Sequence, residues 1–329
     1  MNLTFSKRRF FGRIYALSIG SVLLLLAGVF FFDILMGHPG SDFSNNLSAI
    51  KGASEGSYWS LRNAPSSIFG YLLELHFYYW LGILGNFFQD NAALLRGITL
   101  VLTFMLIYPT LFSAAQLKNK TLLFALLFVL FTHPRFLDLV IGNIRSASAL
   151  VLVFYALKVK VSTFKYLLMG IATTFHIGVL APILLHFLHL FWKRLPQRFS
   201  HSDLLVLLPI LAPGILIVAA KLIFPTRGIG DWEGGLLYTS SLFILAAYTF
   251  YIGKRKVNNE LVFISLGLIS LVVWGAFLGY STMRYFSFFF PFFAVMMLLY
   301  EREPQILILT FVLWFLFTIA SHSTWALSL

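Results

Sequence analysis

Residues 165–193 read KYLLMGIATTFHIGVLAPILLHFLHLFWK, an apolar run closed by Lys165 at one end and Lys193 at the other, with His176 near its middle. Lys and Arg beside apolar spans stay on the cytoplasmic side of a membrane, so both flanks belong inside. A single crossing breaks that rule, and two full crossings need about 40 residues. A broken hairpin satisfies both constraints: 166–175 enters, His176 forms the apex, and 177–191 returns. Backbone freed from helix at membrane depth is tolerated only where protein buries it or where it lines a wet cavity. This stretch therefore predicts an all-α polytopic membrane protein and puts His176 beside a polar cavity.

Composition agrees. The 329 residues are 59% hydrophobic and only 11% charged, with mean hydropathy +0.87, which excludes an ordinary soluble globule. The 37 phenylalanines suit lipid-facing and interfacial surfaces better than a soluble core. With no cysteine, disulfides, thiolate metal sites and cysteine nucleophiles are ruled out. The net charge of +12 lies mostly in short loops beside apolar runs, so it sets topology and predicts no nucleic-acid partner. Ser6-Lys7-Arg8-Arg9 ahead of the run 14–36 mimics a signal peptide. That run is too long for a signal core and lacks a small-residue cleavage site, so it reads as an uncleaved first span with a cytoplasmic N-terminus.

Five basic clusters define the inner side: 7–13, Lys118/Lys120, Lys158/Lys160/Lys165, Lys193/Arg194/Arg198 and Lys254/Arg255/Lys256. Parity between them places crossings at 14–36, 94–115, 121–132, 139–157, 204–223, 236–252, 260–280, 285–300 and 306–320. With the broken hairpin this gives about ten transmembrane helices in a single integral membrane domain, 1–329. Segment 37–91 is an extracytoplasmic loop whose apolar part, 68–88, is an interfacial or re-entrant helix carrying Glu74 and His76. A second extracytoplasmic loop covers 224–235.

The same parity gathers Arg145, His176 and Arg284 on the outer side, with Asp42, Arg62, Arg135 and Arg227. A cation at bilayer depth costs roughly 2.5–3.5 kcal/mol to insert and so marks a polar path. Arg145 follows Gly142 and Asn143 and precedes Ser146, Ala147, Ser148 and Ala149, small residues that let helices approach closely. Arginines outside break the positive-inside trend, and their guanidinium forks match phosphoryl oxygens. Their ordinary alternative is snorkelling to outer headgroups; for His176 it is packing. Asp42 and Glu74 are the outer acids of interest, and Asp231 and Glu233 flank Trp232 in a candidate carbohydrate-contacting loop. His186 and His189, three apart, hint at metal, but no carboxylate accompanies them in the sequence, so they read as interfacial.

Gly40-Ser41-Asp42-Phe43, Ile144-Arg145-Ser146-Ala147, Phe175-His176-Ile177-Gly178 and Arg284-Tyr285-Phe286 resemble, in order and approximate spacing, motifs of the EpsG/Wzy-type family of bacterial polysaccharide polymerases. Ser146 stands where that family has Gln, Gly178 where it has Ser, and Asn46 where it often has Tyr. The resemblance implies a GT-C-like glycosyltransferase of the bacterial inner membrane, active in O-antigen, capsule or exopolysaccharide synthesis. It would join undecaprenyl-diphosphate-linked oligosaccharide repeat units at the outer face, without metal, nucleotide sugar or other cofactor. Arg145 and Arg284 would bind diphosphate and stabilise the leaving group. His176 would be a phosphate contact or general base, and Asp42 an acceptor contact or base. Membrane lipids, a chain-length regulator and a flippase are the implied partners.

Two other classes are weaker. A membrane O-acyltransferase needs a His about ten residues after an Arg such as Arg96, where Met105 and Leu106 stand. A transporter or flippase predicts inverted repeats and mid-span acids for ion coupling. Mid-span acids are nearly absent, and the basic residues of interest gather on one side.

Overall fold

The computed structural model describes residues 76–88, 91–194, 202–223, 236–280 and 283–327, with isolated positions at 14, 15, 18, 20, 47, 48 and 51. Among these residues every regular element is helical: α1 (His76–Phe87), α2 (Asn91–Ala114), α3 (Lys120–Phe131), α4 (Pro134–Leu137), a π-helix (Asp138–Gly142), α5 (Ile144–Ala156), α6 (Ser162–Phe175), a 3-10 turn (Ile177–Val179), α7 (Leu180–Arg194), α8 (Ser202–Ile223), α9 (Leu236–Gly253), α10 (Glu260–Phe277), α11 (Met283–Leu298) and α12 (Pro304–Leu327). Asn91–Ala114, Ile177–Arg194 and Glu260–Phe277 are each long and apolar enough to cross a membrane, and counting Lys120–Phe131 with Pro134–Gly142 as one bent span makes four. Ile144–Ala156, Leu207–Ala219, Tyr285–Leu298 and Pro304–Ile319 are shorter apolar helices. Apolar chains take this form because a helix satisfies its own backbone hydrogen bonds where water is absent.

The chain divides into two compact units. The first comprises Met1–Leu17, Thr110–Phe136 and Ala181–Leu329. In it α10 packs on α8, α9 and α11, while α12 packs on α3 and α9. Helix α8 is interrupted by Pro209 and Pro213. The Ile210 carbonyl, between those prolines, accepts hydrogen bonds from Ser270 (2.8 Å) and the Trp274 indole (2.6 Å) of α10. Gly214 makes this approach possible, since a Cβ there would stand 2.9 Å from the Trp274 ring. Helix α10 is capped at both ends. The Asn259 side chain accepts from the Leu261 and Val262 amides, a cap that contributes about 1 kcal/mol. At the far end Gly279 adopts φ 75°, and the Tyr280 and Gly279 amides reach the Gly275 and Ala276 carbonyls, which is the Schellman pattern that glycine permits.

Side-chain bonds fix the two ends of this unit. At one end the Asn119 amide donates to the Glu301 carbonyl, Lys256 donates to the Leu299 carbonyl, and Tyr300 donates to the Ile252 carbonyl at 2.5 Å. His186 pairs with Glu260, and the His189 Nε2 donates to the Asn258 carbonyl at 3.1 Å. Basic loops at Lys118/Lys120, Lys193/Arg194 and Lys254–Lys256 are thereby drawn to one end of this unit. At the opposite end lie the end of α3 and the starts of α9 and α11.

The second unit comprises Ser18–Pro109 and Leu137–Leu180. Helices α5 and α6 are joined by five residues and pack together as an antiparallel hairpin, with α1 against α6. Tyr155 ties α5 to α2 through the Met105 carbonyl at 3.0 Å.

Two expectations need correction. The crossing predicted over 139–157 is not one helix: the chain bends by 67° ahead of Pro134, widens into the π-helix, and breaks at Asn143 (φ −104°, ψ 53°) before α5. Proline lacks the amide needed to continue a helix, and a π-turn inserts an extra residue into the ladder. The phenylalanines of α11 are also not lipid-facing. Phe286, Phe289, Phe290, Phe292 and Phe293 are fully buried, and Phe286, Phe289, Phe290 and Phe293 pack around Trp314 at 5.3–6.1 Å between ring centroids.

Candidate functional site

Helix α6 ends at His176, whose amide still bonds the Ala172 carbonyl at 3.1 Å while its own backbone turns extended (φ −155°, ψ 119°). A 3-10 turn follows before α7 begins. The break in the helix expected at this histidine is present. His176 is 6% exposed, and the preceding Phe175 ring meets Phe77 of α1 at 5.4 Å. The Thr173 hydroxyl turns back onto the Met169 carbonyl, which keeps it off any ligand.

Arg145 occupies the second position of α5, directly after the Asn143 break. Ser146, Ala147 and Ala149 are buried, as close helix approach demands, while Arg145 itself is half-buried. From Arg145 to the foot of α5 is about 17 Å, and from that foot up α6 to Phe175 about 20 Å. The hairpin thus returns the chain to the level at which it started, and the 3-10 turn after His176 packs against α5. Arg145 and His176 share one end of this unit.

The first unit holds Arg135 and Arg284. Arg284 is the second residue of α11, two positions before the buried Phe286. His133 is fully buried within a cage of Phe286 (5.7 Å), Phe290 (5.0 Å), Trp314 (5.8 Å) and Phe317 (5.3 Å). Its Nδ1 accepts the Arg135 amide at 3.2 Å, so when neutral it carries its proton on Nε2. The turn bearing Arg135 is therefore fixed against the first turns of α11, and Arg135 and the backbone of Arg284 lie at one end of the unit. Asp42, Arg62, Glu74, Arg227 and Asp231 fall outside the described residues.

Electrostatics gives these positions meaning. A helix N-terminus carries free amide donors and the positive end of its dipole, so a cation in the first turn is disfavoured by about 0.3–1 kcal/mol and an anion favoured by a similar amount. Arg145 and Arg284 both stand in first turns, where sequence-local energetics would place acids. The Asn143 side chain makes no capping hydrogen bond to α5. Helix-terminal amides together with a guanidinium make a pre-organised phosphate or pyrophosphate contact.

Near the inner end of the first unit, one sequence inference fails. Glu260 of α10 does reach His186, a neighbour brought in from another helix. The group stops short of a metal centre, because no set of three His, Cys, Asp or Glu among the described residues could hold an ion. Sequence reasoning also passed over Asp138, which opens the π-helix between Arg135 and Arg145, and Tyr238, buried in the first turn of α9. The sequence signal for Tyr238 was a hydroxyl at the outer margin of an apolar run, one of many such tyrosines. No family model matches the chain, and no curated protein or solved structure matches it either.

Proposed function

We propose that this protein is a polytopic inner-membrane glycosyltransferase that joins lipid-diphosphate-linked oligosaccharide repeat units at the outer face. The observation that carries the reading is the placement of Arg145 and Arg284 in the first turns of α5 and α11. The amides and dipole of a helix start favour an anion, and a guanidinium beside them adds charge and paired donors, which suits binding of a diphosphate and stabilisation of its charge as the glycosyl bond breaks. The motif order noted in the sequence, about ten transmembrane helices and a GT-C-like arrangement belong to the same reading. In it the growing glycan passes from its lipid carrier to a hydroxyl of the incoming unit, and the lipid diphosphate departs. Arg145 and Arg284 hold diphosphate oxygens, and His176, at the helix break beside Arg145, contacts phosphate or takes the acceptor proton.

The test is glycan chain length in cells carrying single variants. Arg145→Ala and Arg284→Ala are expected to insert normally yet leave surface glycan as single repeat units. Each lost charge-assisted contact corresponds to roughly 1.5–3 kcal/mol. Arg→Lys is expected to rescue poorly, because a point charge does not reproduce the two-pronged fork. Long-chain glycan at wild-type levels in both Ala variants sinks the proposal.

A further inference from the structure

Tyr238 is 8% exposed, and its hydroxyl oxygen, though buried, makes no hydrogen bond of ordinary geometry among the described residues. A buried hydroxyl left without an acceptor costs about 1–3 kcal/mol, so its O–H calls for a partner. Its surroundings are built rather than accidental. The Tyr238 ring stacks on Phe317 at 5.4 Å and 28°, and Phe317 stacks in turn on His133 at 5.3 Å and 18°. His133 holds the Arg135 amide at 3.2 Å. Three stacked rings thus tie the tyrosine to the turn that presents Arg135. The Arg135 guanidinium lies against the Tyr238 hydroxyl oxygen and donates toward it, and no acidic side chain among the described residues pairs with the guanidinium. A cationic donor and a phenol whose own O–H has no acceptor among the described residues thus meet at one end of this unit.

We infer that Arg135 and Tyr238 form a binding pair for a phosphoryl oxygen, with His133 as the residue that positions Arg135. The guanidinium supplies charge, the phenol a directed O–H donor, and the ring stack keeps both fixed. A phosphoryl group supplies several strong acceptor positions and matches the pair better than a neutral sugar hydroxyl. The assignment deepens the proposed function, resting on its outer-side substrate, and adds Tyr238 and His133 to the residues that serve it. Two sources present this chemistry at that depth: a lipid-linked diphosphate and the headgroup of a bilayer phospholipid.

The experiment titrates purified full-length protein in neutral detergent with farnesyl diphosphate, and separately with phosphatidylglycerol, following heat of binding. Tyr238→Phe keeps the ring stack and removes only the hydroxyl. It is expected to weaken binding at least about tenfold, with Arg135→Gln weaker still, as loss of a hydrogen bond to a charged acceptor implies. His133→Asn, which retains an acceptor for the Arg135 amide, is expected to bind more tightly than His133→Phe. Tighter wild-type binding of farnesyl diphosphate identifies the diphosphate as the ligand, and tighter binding of phosphatidylglycerol identifies the headgroup. Either result with loss in Tyr238→Phe supports the pair. Equal affinity of Tyr238→Phe and wild type for both probes, or no wild-type binding of either, overturns it. Normal glycan length in Arg145→Ala and Arg284→Ala would remove the polymerase reading and leave this binding result standing.

Discussion

At the scale of single residues, the arginines and the buried rings answer to different physics and predict different losses. Arg145 and Arg284 stand in first turns, against the local dipole, so replacing them is expected to change what binds more than it changes the fold. Trp314 is the opposite case: fully buried among the phenylalanines of α11, it fills the centre of the first unit. Trp314→Ala is expected to lower stability by about 3–5 kcal/mol through cavity formation, read as a fall in the thermal midpoint of the detergent-solubilised protein, whereas Arg145→Ala leaves that midpoint within a degree or so. The arginines stand out in the sequence because a cation expected outside breaks the positive-inside trend, a pattern visible in one dimension. The His133 cage and the Tyr238 stack were not. Each is assembled from helices far apart in the chain, and no periodicity in one segment encodes a partner in another. The same limit hid Glu260 from His186. Burial of the α11 phenylalanines was misjudged for a related reason, since composition reports how apolar a helix is and not which neighbours cover it.

At the scale of elements, most boundaries followed from apolar run length and flanking charge. Helices lie where crossings were expected: α2 at 94–115, α8 at 204–223, α9 at 236–252 and α11 at 285–300, each displaced by only a few residues, and of these α2 is long and apolar enough to cross a membrane. The failure at 139–157 came from the π-helix and the Asn143 break, features set by backbone ladders that hydropathy does not register. Glycines separate the two behaviours cleanly. Gly279 lies at φ 75° with open space around it, so Gly279→Ala is expected to cost about 1–2 kcal/mol purely from backbone strain. Gly97, inside α2 and equally open, should instead gain roughly 0.5–1 kcal/mol as Ala. Thermal melts of the two variants moving in opposite directions would bear this out; a parallel shift would show that the turn after α10 is not strained. The break at His176 carries its own test. If it is the apex of a hairpin, reporter fusions after Ser162 and Lys193 report the same side of the membrane. Opposite sides would restore an ordinary crossing and reduce His176 to packing.

At the scale of the whole molecule, the claim is that basic loops and outer-side arginines occupy opposite faces of one membrane. Parity in the sequence argued this from charge alone. In the first unit, hydrogen bonds of Asn119, Asn258 and Lys256 gather at one end, while His133, Arg135, Tyr238 and the start of α11 meet at the other; which end faces outward is what the measurement decides. The absence of native cysteine makes the decisive measurement clean. Single cysteines are introduced at Arg135, Tyr280, Asn258 and Arg302, and intact cells are exposed to a membrane-impermeant thiol reagent. The arrangement predicts labelling at Arg135→Cys and Tyr280→Cys, with Asn258→Cys and Arg302→Cys labelled only after the membrane is permeabilised. Labelling of Asn258→Cys in intact cells, or protection of Arg135→Cys there with labelling on permeabilisation, would place the arginines inside and contradict an outer-face polymerase.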